Sequence, residues 1–190
     1  TPKDNTDWKA VHFADNVGII VGNDASGNAK AYISVNGGDS WNLATDKPST
    51  QFNAVYVIDQ SMAFVVGTNV IYKVEINNTT TTWTPVYSGT PQINFTDVFF
   101  RDYKIGYVIG EGGKILKTVN GGDEWNDEKK LVTPNDPNNY TNITVLDNNN
   151  LVSSGNNGTT THLKDMSDEF ASMFWYDRVG RIIVSQNAKQ

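Results

Sequence analysis

The 190-residue sequence has no cysteine, only two histidines and only three arginines. The lack of cysteine excludes disulfide bonds, cysteine-ligated zinc and thiol catalysis. No apolar run approaches the roughly 18 residues that a membrane-spanning helix needs, so we expect no membrane insertion. Acidic residues outnumber basic ones by 21 to 15, and the formal net charge is −6. This balance argues against nucleic acid or anionic lipid as partners, because both require a cationic surface.

The residues that are abundant favour strands and turns. The chain contains 23 asparagines, 19 threonines and 16 glycines. Asparagine and glycine are typical of turns, threonine is typical of strands, and all three are poor helix formers. The composition therefore predicts an all-β protein and argues against a helical bundle.

A unit of about 44 residues occurs four times. In each copy a short apolar run ends in aspartate, a second run ends in glycine, a third run follows, and an aromatic residue closes the unit. Equivalent aspartates lie 44, 43 and 45 residues apart, and equivalent glycines 45, 43 and 45. The landmarks are Asp15, Asp59, Asp102 and Asp147; Gly22, Gly67, Gly110 and Gly155; residues 29–34, 70–76, 114–118 and 159–164; and Trp41, Trp83, Trp125 and Phe170.

The repeat predicts the fold. Each unit holds three or four apolar runs of four to seven residues that are separated by turn residues, which suits short strands and not helices. Four short strands in a repeat of 40–50 residues are typical of a β-propeller blade. We therefore predict four blades, at about residues 8–45, 51–88, 93–130 and 140–170. The four blades close into a ring, form part of a larger propeller, or pack against another protein.

Two units carry nearly the same turn, Ser34-Val-Asn-Gly-Gly-Asp-Ser-Trp41 and Thr118-Val-Asn-Gly-Gly-Asp-Glu-Trp125. Both resemble the Asp-box, or BNR repeat, with asparagine in place of aspartate. The resemblance implies a structural turn between the third and fourth strands of a blade, in which glycine allows positive φ, asparagine accepts hydrogen bonds, and tryptophan packs flat on its neighbour. The other two units have lost this turn. The residues assigned to this role are Ser34, Asn36, Gly38, Trp41, Thr118, Asn120, Gly122 and Trp125.

The third unit, residues 95–125, is similar as a whole to the photosystem-assembly-factor class of BNR propellers. The similarity extends over about residues 8–170. It implies the propeller fold and says little about function, since Asp-boxes are structural features of the rim. That class uses an arginine patch, and the scarcity of arginine here argues against an assembly-factor role.

The C-terminal segment, residues 171–190, departs from the blade spacing. Its residues Tyr176, Asp177, Gly180 and Arg181 resemble the YD repeat of Rhs-type proteins, which form β-hairpins. A propeller followed by YD repeats is similar to large surface proteins of the Bacteroidetes kind. The resemblance implies that the chain is one segment of a longer polypeptide and that residues 171–190 lead out of the propeller.

A BNR propeller raises the hypothesis of a sialidase, a glycosidase that binds its substrate carboxylate through three arginines from different blades. The only arginines here are Arg101, Arg178 and Arg181, and the last two lie three residues apart. Such a cluster cannot form from these positions, so the sialidase hypothesis is disfavoured.

Other groups also favour structural roles. His12 occupies a repeat position that holds tyrosine, phenylalanine and threonine in the other units, which indicates packing and not general-base catalysis. The four repeated aspartates could form a ring around a metal, but an aspartate that begins a turn explains them better. The oxygen-rich segments 23–28 and 135–139 have too few acidic ligands for calcium. We predict no catalytic residue, metal or cofactor.

We therefore expect a non-enzymatic propeller module of a large secreted or cell-surface protein, which serves as a scaffold or binds a protein partner. The alternative is a carbohydrate-binding adhesin that uses exposed aromatic residues. Trp8, Tyr87 and Tyr140 lie outside the blade landmarks and are the first candidates for such exposure. The insert 127–140, which contains two prolines, is a second candidate contact surface.

Overall fold

The computed structural model describes residues 5–89, 92–127, 139–147, 150–156, 160–164, 172–176 and 182–187. These residues form strands and turns, with a short 3₁₀ turn at Glu111–Gly113. None of the described segments forms a helix that is long and apolar enough to cross a membrane.

Seventeen strands follow one another along the described chain. Their bounds are β1 Thr6–Ala14, β2 Val17–Asp24, β3 Ala29–Ser34, β4 Asn42–Leu43, β5 Phe52–Val57, β6 Met62–Gly67, β7 Val70–Asn77, β8 Thr80–Ser88, β9 Phe95–Phe100, β10 Gly106–Gly110, β11 Ile115–Thr118, β12 Asn126–Asp127, β13 Tyr140–Asp147, β14 Asn150–Gly155, β15 Thr160–Lys164, β16 Ser172–Tyr176 and β17 Ile182–Asn187.

The strands form four antiparallel sheets, and each sheet corresponds to one sequence repeat. The first three sheets are the consecutive meanders β1–β4, β5–β8 and β9–β12, and the fourth is the five-stranded meander β13–β17. Consecutive antiparallel strands joined by short turns are the architecture of propeller blades. The all-β propeller that the repeat predicts is therefore confirmed.

The C-terminal strands continue the fourth sheet. β16 pairs with β15, and β17 pairs with β16. The strands of the segment 171–190 thus add to the sheet of the fourth repeat. The division of the chain near residue 170 stays a prediction, as does the YD resemblance of this segment.

Successive sheets pack face to face. The first strand of each sheet is its inner strand. The inner strand and the second strand both pack on the inner strand of the next sheet: β1 and β2 pack on β5, β5 and β6 pack on β9, and β9 and β10 pack on β13. We call the face that meets the following sheet the forward face, and the face that meets the preceding sheet the rear face. Among the described strands, no packing of comparable extent joins the first sheet to the fourth.

Two apolar cores lie between these faces. The first joins the forward face of the first sheet, including Ile19 and Ile33, to the rear face of the second, including Val55 and Val65. The second joins the forward face of the second sheet to the rear face of the third. Its members are Ala54, Phe64, Val66, Ile71, Phe95, Val98, Phe100, Val108, Leu116 and Trp125.

An aromatic residue near the start of each inner strand faces a landmark glycine on the second strand. The pairs are Trp8 with Gly22, Phe52 with Gly67, Phe95 with Gly110 and Tyr140 with Gly155. Trp8 and Tyr140 are therefore repeat residues, and Tyr140 is fully buried. Tyr87 also packs, with its ring edge on Phe95 at a centroid distance of 5.4 Å. The expectation that Trp8 and Tyr140 lie outside the blade pattern was wrong, because the period was counted from the aspartates and not from the start of each strand.

The landmark glycines are required because the inner strand of each sheet approaches them closely. A Cβ at Gly67 would overlap the carbonyl oxygen of Gln51, the residue before the aromatic, and a Cβ at Gly22, Gly110 or Gly155 would meet the equivalent carbonyl.

We expect Gly67→Ala to lower the free energy of unfolding by about 3 kcal/mol, because the inner strand must shift. Gly112→Ala is the control: its Cβ meets nothing within 4 Å, and its φ of +64° costs about 1 kcal/mol. Urea unfolding of both variants measures the difference, and equal losses would contradict this account.

Candidate interaction surface

The two Asp-box-like turns have the same hydrogen bonds. In the first turn, the Ser34 hydroxyl accepts the Gly38 N–H at 2.8 Å and donates to Asn36 Oδ1 at 3.0 Å. Asn36 Oδ1 in turn accepts the Ser40 N–H at 3.0 Å. Asparagine thus supplies the acceptor oxygen that aspartate supplies in an Asp-box.

The second turn repeats this arrangement. The Thr118 hydroxyl accepts the Gly122 N–H at 2.9 Å and donates to Asn120 Oδ1 at 2.9 Å, which accepts the Glu124 N–H at 3.1 Å. The paired glycines of both turns have φ between 70° and 94°. Threonine can replace serine because only the hydroxyl takes part.

The tryptophans that follow these turns pack edge to face. Trp41 meets Phe13 at 5.7 Å with an interplanar angle of 79°, and Trp125 meets Phe100 at 5.7 Å and 87°. Trp125 also meets Phe64 of the preceding sheet at 6.0 Å. The flat packing that we expected was wrong for both, because each indole is nearly perpendicular to an aromatic ring of its own sheet.

Most of the YD-like motif lies outside the described residues. Tyr176 ends β16, where its backbone pairs with Ile182. Asp177, Gly180 and Arg181 are among the residues that the structure does not describe, as are Phe170 and most of the insert 127–140.

His12 belongs to an aromatic column at the inner strands. Its ring stacks on Tyr56 at 4.2 Å, and Tyr56 contacts Phe99 at 5.2 Å. His12 Nδ1 accepts the Val57 N–H at 3.0 Å. Burial lowers the pKa of His12 below its ordinary value of 6.5, and protonation of Nδ1 would break the bond to Val57. These contacts agree with a packing role.

This lowered pKa predicts a pH dependence of stability. The unfolded chain binds the proton more readily than the folded chain, so His12 stabilises the fold above about pH 6.5, and this contribution is lost as the pH falls through the lowered pKa. We expect His12→Phe, which introduces the residue of the equivalent position 99, to flatten the melting temperature between pH 7.5 and pH 5. Tyr56→Phe is the control and should keep the slope of the wild-type chain. An unchanged slope in His12→Phe would contradict the assignment.

The repeated aspartates act in turns. Asp59 Oδ1 accepts the Ser61 N–H at 2.7 Å, and Asp102 Oδ1 accepts the N–H groups of Lys104 and Ile105 at 2.8 and 2.9 Å. The part of the chain that the structure describes holds no cluster of three metal-ligating side chains.

The loop 23–28 is closed by its own hydrogen bonds. Asp24 Oδ1 accepts the N–H groups of Ser26 and Asn28, both at 2.9 Å, and these bonds, that of Asn28 foremost, lower the pKa of Asp24. The Asn23 side chain binds both backbone groups of Phe52 on the next sheet. The side-chain oxygens of Asn23 and Asp24 therefore have partners within the protein.

The rear face of the first sheet is exposed, although its residues match those of a buried face. Val11 and Phe13 are 55% and 37% exposed, whereas Val98 and Phe100, at the same repeat positions of the third sheet, are each 3% exposed. Val11 pairs with Ile20 and Ile20 with Tyr32, just as Val98 pairs with Val108 and Val108 with Leu116. We define the exposed rear face by Trp8, Val11, Phe13, Ile20, Tyr32, Trp41 and Leu43.

The opposite end of the row of sheets exposes three polar side chains among the residues that the structure describes. Asn142, Thr144 and Ser154 are exposed on the fourth sheet, at the repeat positions where Ala54, Tyr56 and Val66 pack in the second. These three positions carry amide and hydroxyl groups, whereas Val152, at the repeat position of Phe64, is apolar and half-buried.

The family model of the photosynthesis system II assembly factor YCF48 matches residues 75–178, which is more than half of the chain. The chain belongs to the YCF48 family. The resemblance to BNR propellers of the photosystem-assembly-factor class is thereby confirmed. Among curated proteins, none matches the sequence.

Solved structures agree with this fold. YCF48 from Cyanidioschyzon merolae superposes with a TM-score of 0.62 at 19% identity, over 78% of this chain and 48% of that one. The chain thus spans about half the length of that YCF48. The Cps50 (Swd1) β-propeller domain of Myceliophteria thermophila gives 0.64 at 7% identity, over 96% and 75% of the two chains. The GH74 enzyme of Niastella koreensis gives 0.61 at 16% identity, over 96% and 30%.

The sequence of this YCF48 family member does not reveal that the rear face of the first sheet is exposed. Its residues have the same types as those of a covered face, so composition carries no sign of exposure. Only the position of the repeat indicates the exposure. The apolar rear face belongs to the first repeat, and within residues 5–187 no repeat precedes it that could cover this face.

Proposed function

We propose that this chain is a non-enzymatic, protein-binding propeller module and that the exposed rear face of its first sheet is the binding surface. The observation that carries the proposal is the exposure of Val11 and Phe13 at positions where the third sheet buries valine and phenylalanine under another sheet. A contiguous apolar patch with aromatic residues is typical of protein interfaces.

The chemistry of the surface favours a protein over a small ligand. On the second and third sheets, the equivalent faces are covered by side chains of a β-sheet. A YCF48 has also been solved bound to a D1 peptide, so one protein of the family takes a protein ligand. That structure superposes too poorly on this chain to place a ligand here, with a TM-score of 0.32.

Titratable groups with shifted pKa values support a non-enzymatic role. His12 binds the Val57 N–H, and Asp97, whose pKa burial raises, accepts the Ile143 N–H of the next sheet at 2.9 Å. Both groups serve packing between sheets. The likeness to a GH74 enzyme concerns the fold alone. We expect no hydrolysis of a panel of fluorogenic glycosides that includes a sialoside, and turnover of any of them would contradict the proposal.

We further propose that the module belongs to a larger secreted or cell-surface protein. The resemblance of residues 176–181 to YD repeats supports this context. An antibody against the module should stain intact cells of the producing organism, and protease added to those cells should remove the signal. Staining only after lysis would contradict the location.

A glycan is the second candidate ligand. Three aromatic rings lie half-buried on the exposed rear face, those of Trp8, Tyr32 and Trp41, and aromatic faces can stack on sugars. A glycan array tests this alternative, and we expect no binding that Trp41→Ala abolishes.

Site-specific photocrosslinking tests the leading proposal. Benzoylphenylalanine at position 11 should yield a protein adduct in the producing organism, identified by mass spectrometry. Position 119 is the matched control, because Val119 is equally exposed, at 60%, on a turn of the third sheet. A carbohydrate adduct at position 11, or the same protein captured at both positions, would contradict the proposal.

A further inference from the structure

We propose that the outer edge of the second sheet binds an extended, uncharged segment of a partner protein as an additional β-strand. This edge is the outward side of β8, the fourth strand of the sheet, and no strand of the described chain pairs with it. We call it the free edge of β8. It is a second interaction surface, separate from the exposed rear face of the first sheet, so the two proposals can fail independently.

The free edge of β8 is long and carries no charge. The outer strands of the first and third sheets, β4 and β12, have two described residues each, whereas β8 has nine. Outer strands of soluble proteins are commonly short or charged, which prevents their pairing with another chain. The sequence of β8, Thr-Thr-Thr-Trp-Thr-Pro-Val-Tyr-Ser, has neither protection over its first five residues. Such an edge is suited to binding an extended segment by strand addition.

The backbone of β8 presents donors and acceptors along this edge. Asn77 and Thr80 pair across a two-residue turn, and hydrogen-bonded and non-bonded pairs alternate along antiparallel strands. The backbone groups of Thr81, Trp83 and Pro85 therefore point away from β7. Proline has no N–H, and the register shifts directly after Pro85, so the usable edge ends there. The edge thus offers two outward amides, those of Thr81 and Trp83, and three carbonyls.

The fourth sheet shows that an outer strand of this repeat accepts a further strand. There, β17 pairs antiparallel with β16, the strand in the fourth position. β17 covers residues 172–175 of β16, and the strand registers place these residues at the repeat positions of residues 82–85. The added strand therefore lies along the part of the edge that no described strand covers in the second sheet.

The side chains beside the free edge of β8 define the partner segment. On the rear side, the Trp83 ring stacks on Phe52 at 5.2 Å with an interplanar angle of 5°, and the Trp83 Nε1–H donates to the Thr81 hydroxyl at 2.9 Å. Thr82 and Thr84 are exposed on the other side. Directly opposed side chains on adjacent strands pack together. The segment therefore carries an apolar residue opposite Trp83, with uncharged β-branched or hydroxyl residues before and after it.

A second copy of the chain fits this edge less well than a different sequence does. In the antiparallel register that uses every outward group, two β8 strands would be centred on Trp83. Each Thr81 carbonyl would then face Pro85 of the other copy, which cannot donate a hydrogen bond. Two carbonyls would lack partners, whereas a segment without proline pairs with all of the outward groups.

Amide hydrogen exchange, followed by NMR at each residue, tests the proposal. The probe is an acetylated and amidated peptide with the sequence of β17, Ile-Ile-Val-Ser-Gln-Asn. The inward amides of Thr82 and Thr84, which donate to β7, are the internal control. In the protein alone, the outward amides should exchange at least about tenfold faster than the inward ones. Saturating peptide should slow the outward amides at least about tenfold and leave the inward ones unchanged.

A change in the peptide tests the chemistry of the partner segment. The registers place Gln186 of β17 at the position opposite Trp83. A peptide with Gln186→Val presents an apolar side chain there, and it should half-saturate the edge at an approximately threefold lower concentration. Weaker binding of this peptide than of the original one would contradict the apolar position.

Two variants at position 81 separate strand pairing from side-chain effects. Thr81→Pro removes an outward N–H and leaves the bonds to β7 in place, so it should abolish the slowing at Trp83. Thr81→Val removes the same hydroxyl but keeps the N–H, and it should respond to the peptide as the original chain does. The titration of the original chain decides the proposal without either variant.

Three results would overturn the inference. Outward amides whose exchange the peptide leaves unchanged would show that the edge does not accept a strand. Outward amides that are protected in the protein alone at every concentration would show that the chain itself covers the edge. Protection that grows with protein concentration would identify a second copy as the occupant. None of these results would affect the proposed binding at the exposed rear face.

Discussion

Val98→Asp is expected to unfold the protein, whereas Val11→Asp at the same repeat position should leave it folded. Val98 is 3% exposed in the core between the second and third sheets. An unpaired carboxylate there has no partner and costs about 5 kcal/mol or more, which is comparable with the total stability of many domains. Val11 is 55% exposed, so its carboxylate remains in water and costs roughly 1 kcal/mol at most.

Circular dichroism and urea unfolding of the two variants measure this difference. Val11→Thr and Val98→Thr serve as milder controls, because threonine keeps the shape and the strand propensity of valine. If Val11→Asp were as destabilising as Val98→Asp, the exposed rear face would be part of the core, and the proposed binding surface would be wrong.

The repeat made the fold predictable from the sequence. The aspartates that begin turns and the glycines that face the inner strand have fixed backbone requirements, so they recur at one period and mark each blade. The Asp-box-like turns were predictable for the same reason: a hydroxyl, an asparagine and two glycines specify one set of hydrogen bonds.

Exposure was not predictable, because it depends on neighbours and not on local sequence. Val11 and Val98 have the same residue type, the same strand partners by type and the same place in the repeat, yet only one is covered. The phase of the repeat was also misjudged. Trp8 and Tyr140 stand five or more residues ahead of the aspartates, so counting from aspartate left them outside the pattern.

Phe64→Ala is expected to lower the free energy of unfolding by about 3–5 kcal/mol, which corresponds to a fall in melting temperature of roughly 10 °C. Phe64 is fully buried and joins the second sheet to the third through its contacts with Phe100 and Trp125. Removal of the ring leaves a cavity between two sheets whose strands are held by hydrogen bonds, so the walls cannot collapse fully.

Two matched variants separate this role from a general effect of losing an aromatic ring. Tyr103→Ala removes a side chain that is 66% exposed on a turn, and it should change stability by about 0.5 kcal/mol or less. Phe64→Leu keeps most of the volume and should lose only about 1 kcal/mol. Differential scanning calorimetry of the three variants measures their melting temperatures and therefore the order of their losses of stability. A loss of less than about 1 kcal/mol in Phe64→Ala would contradict the assignment of Phe64 to the core between the second and third sheets.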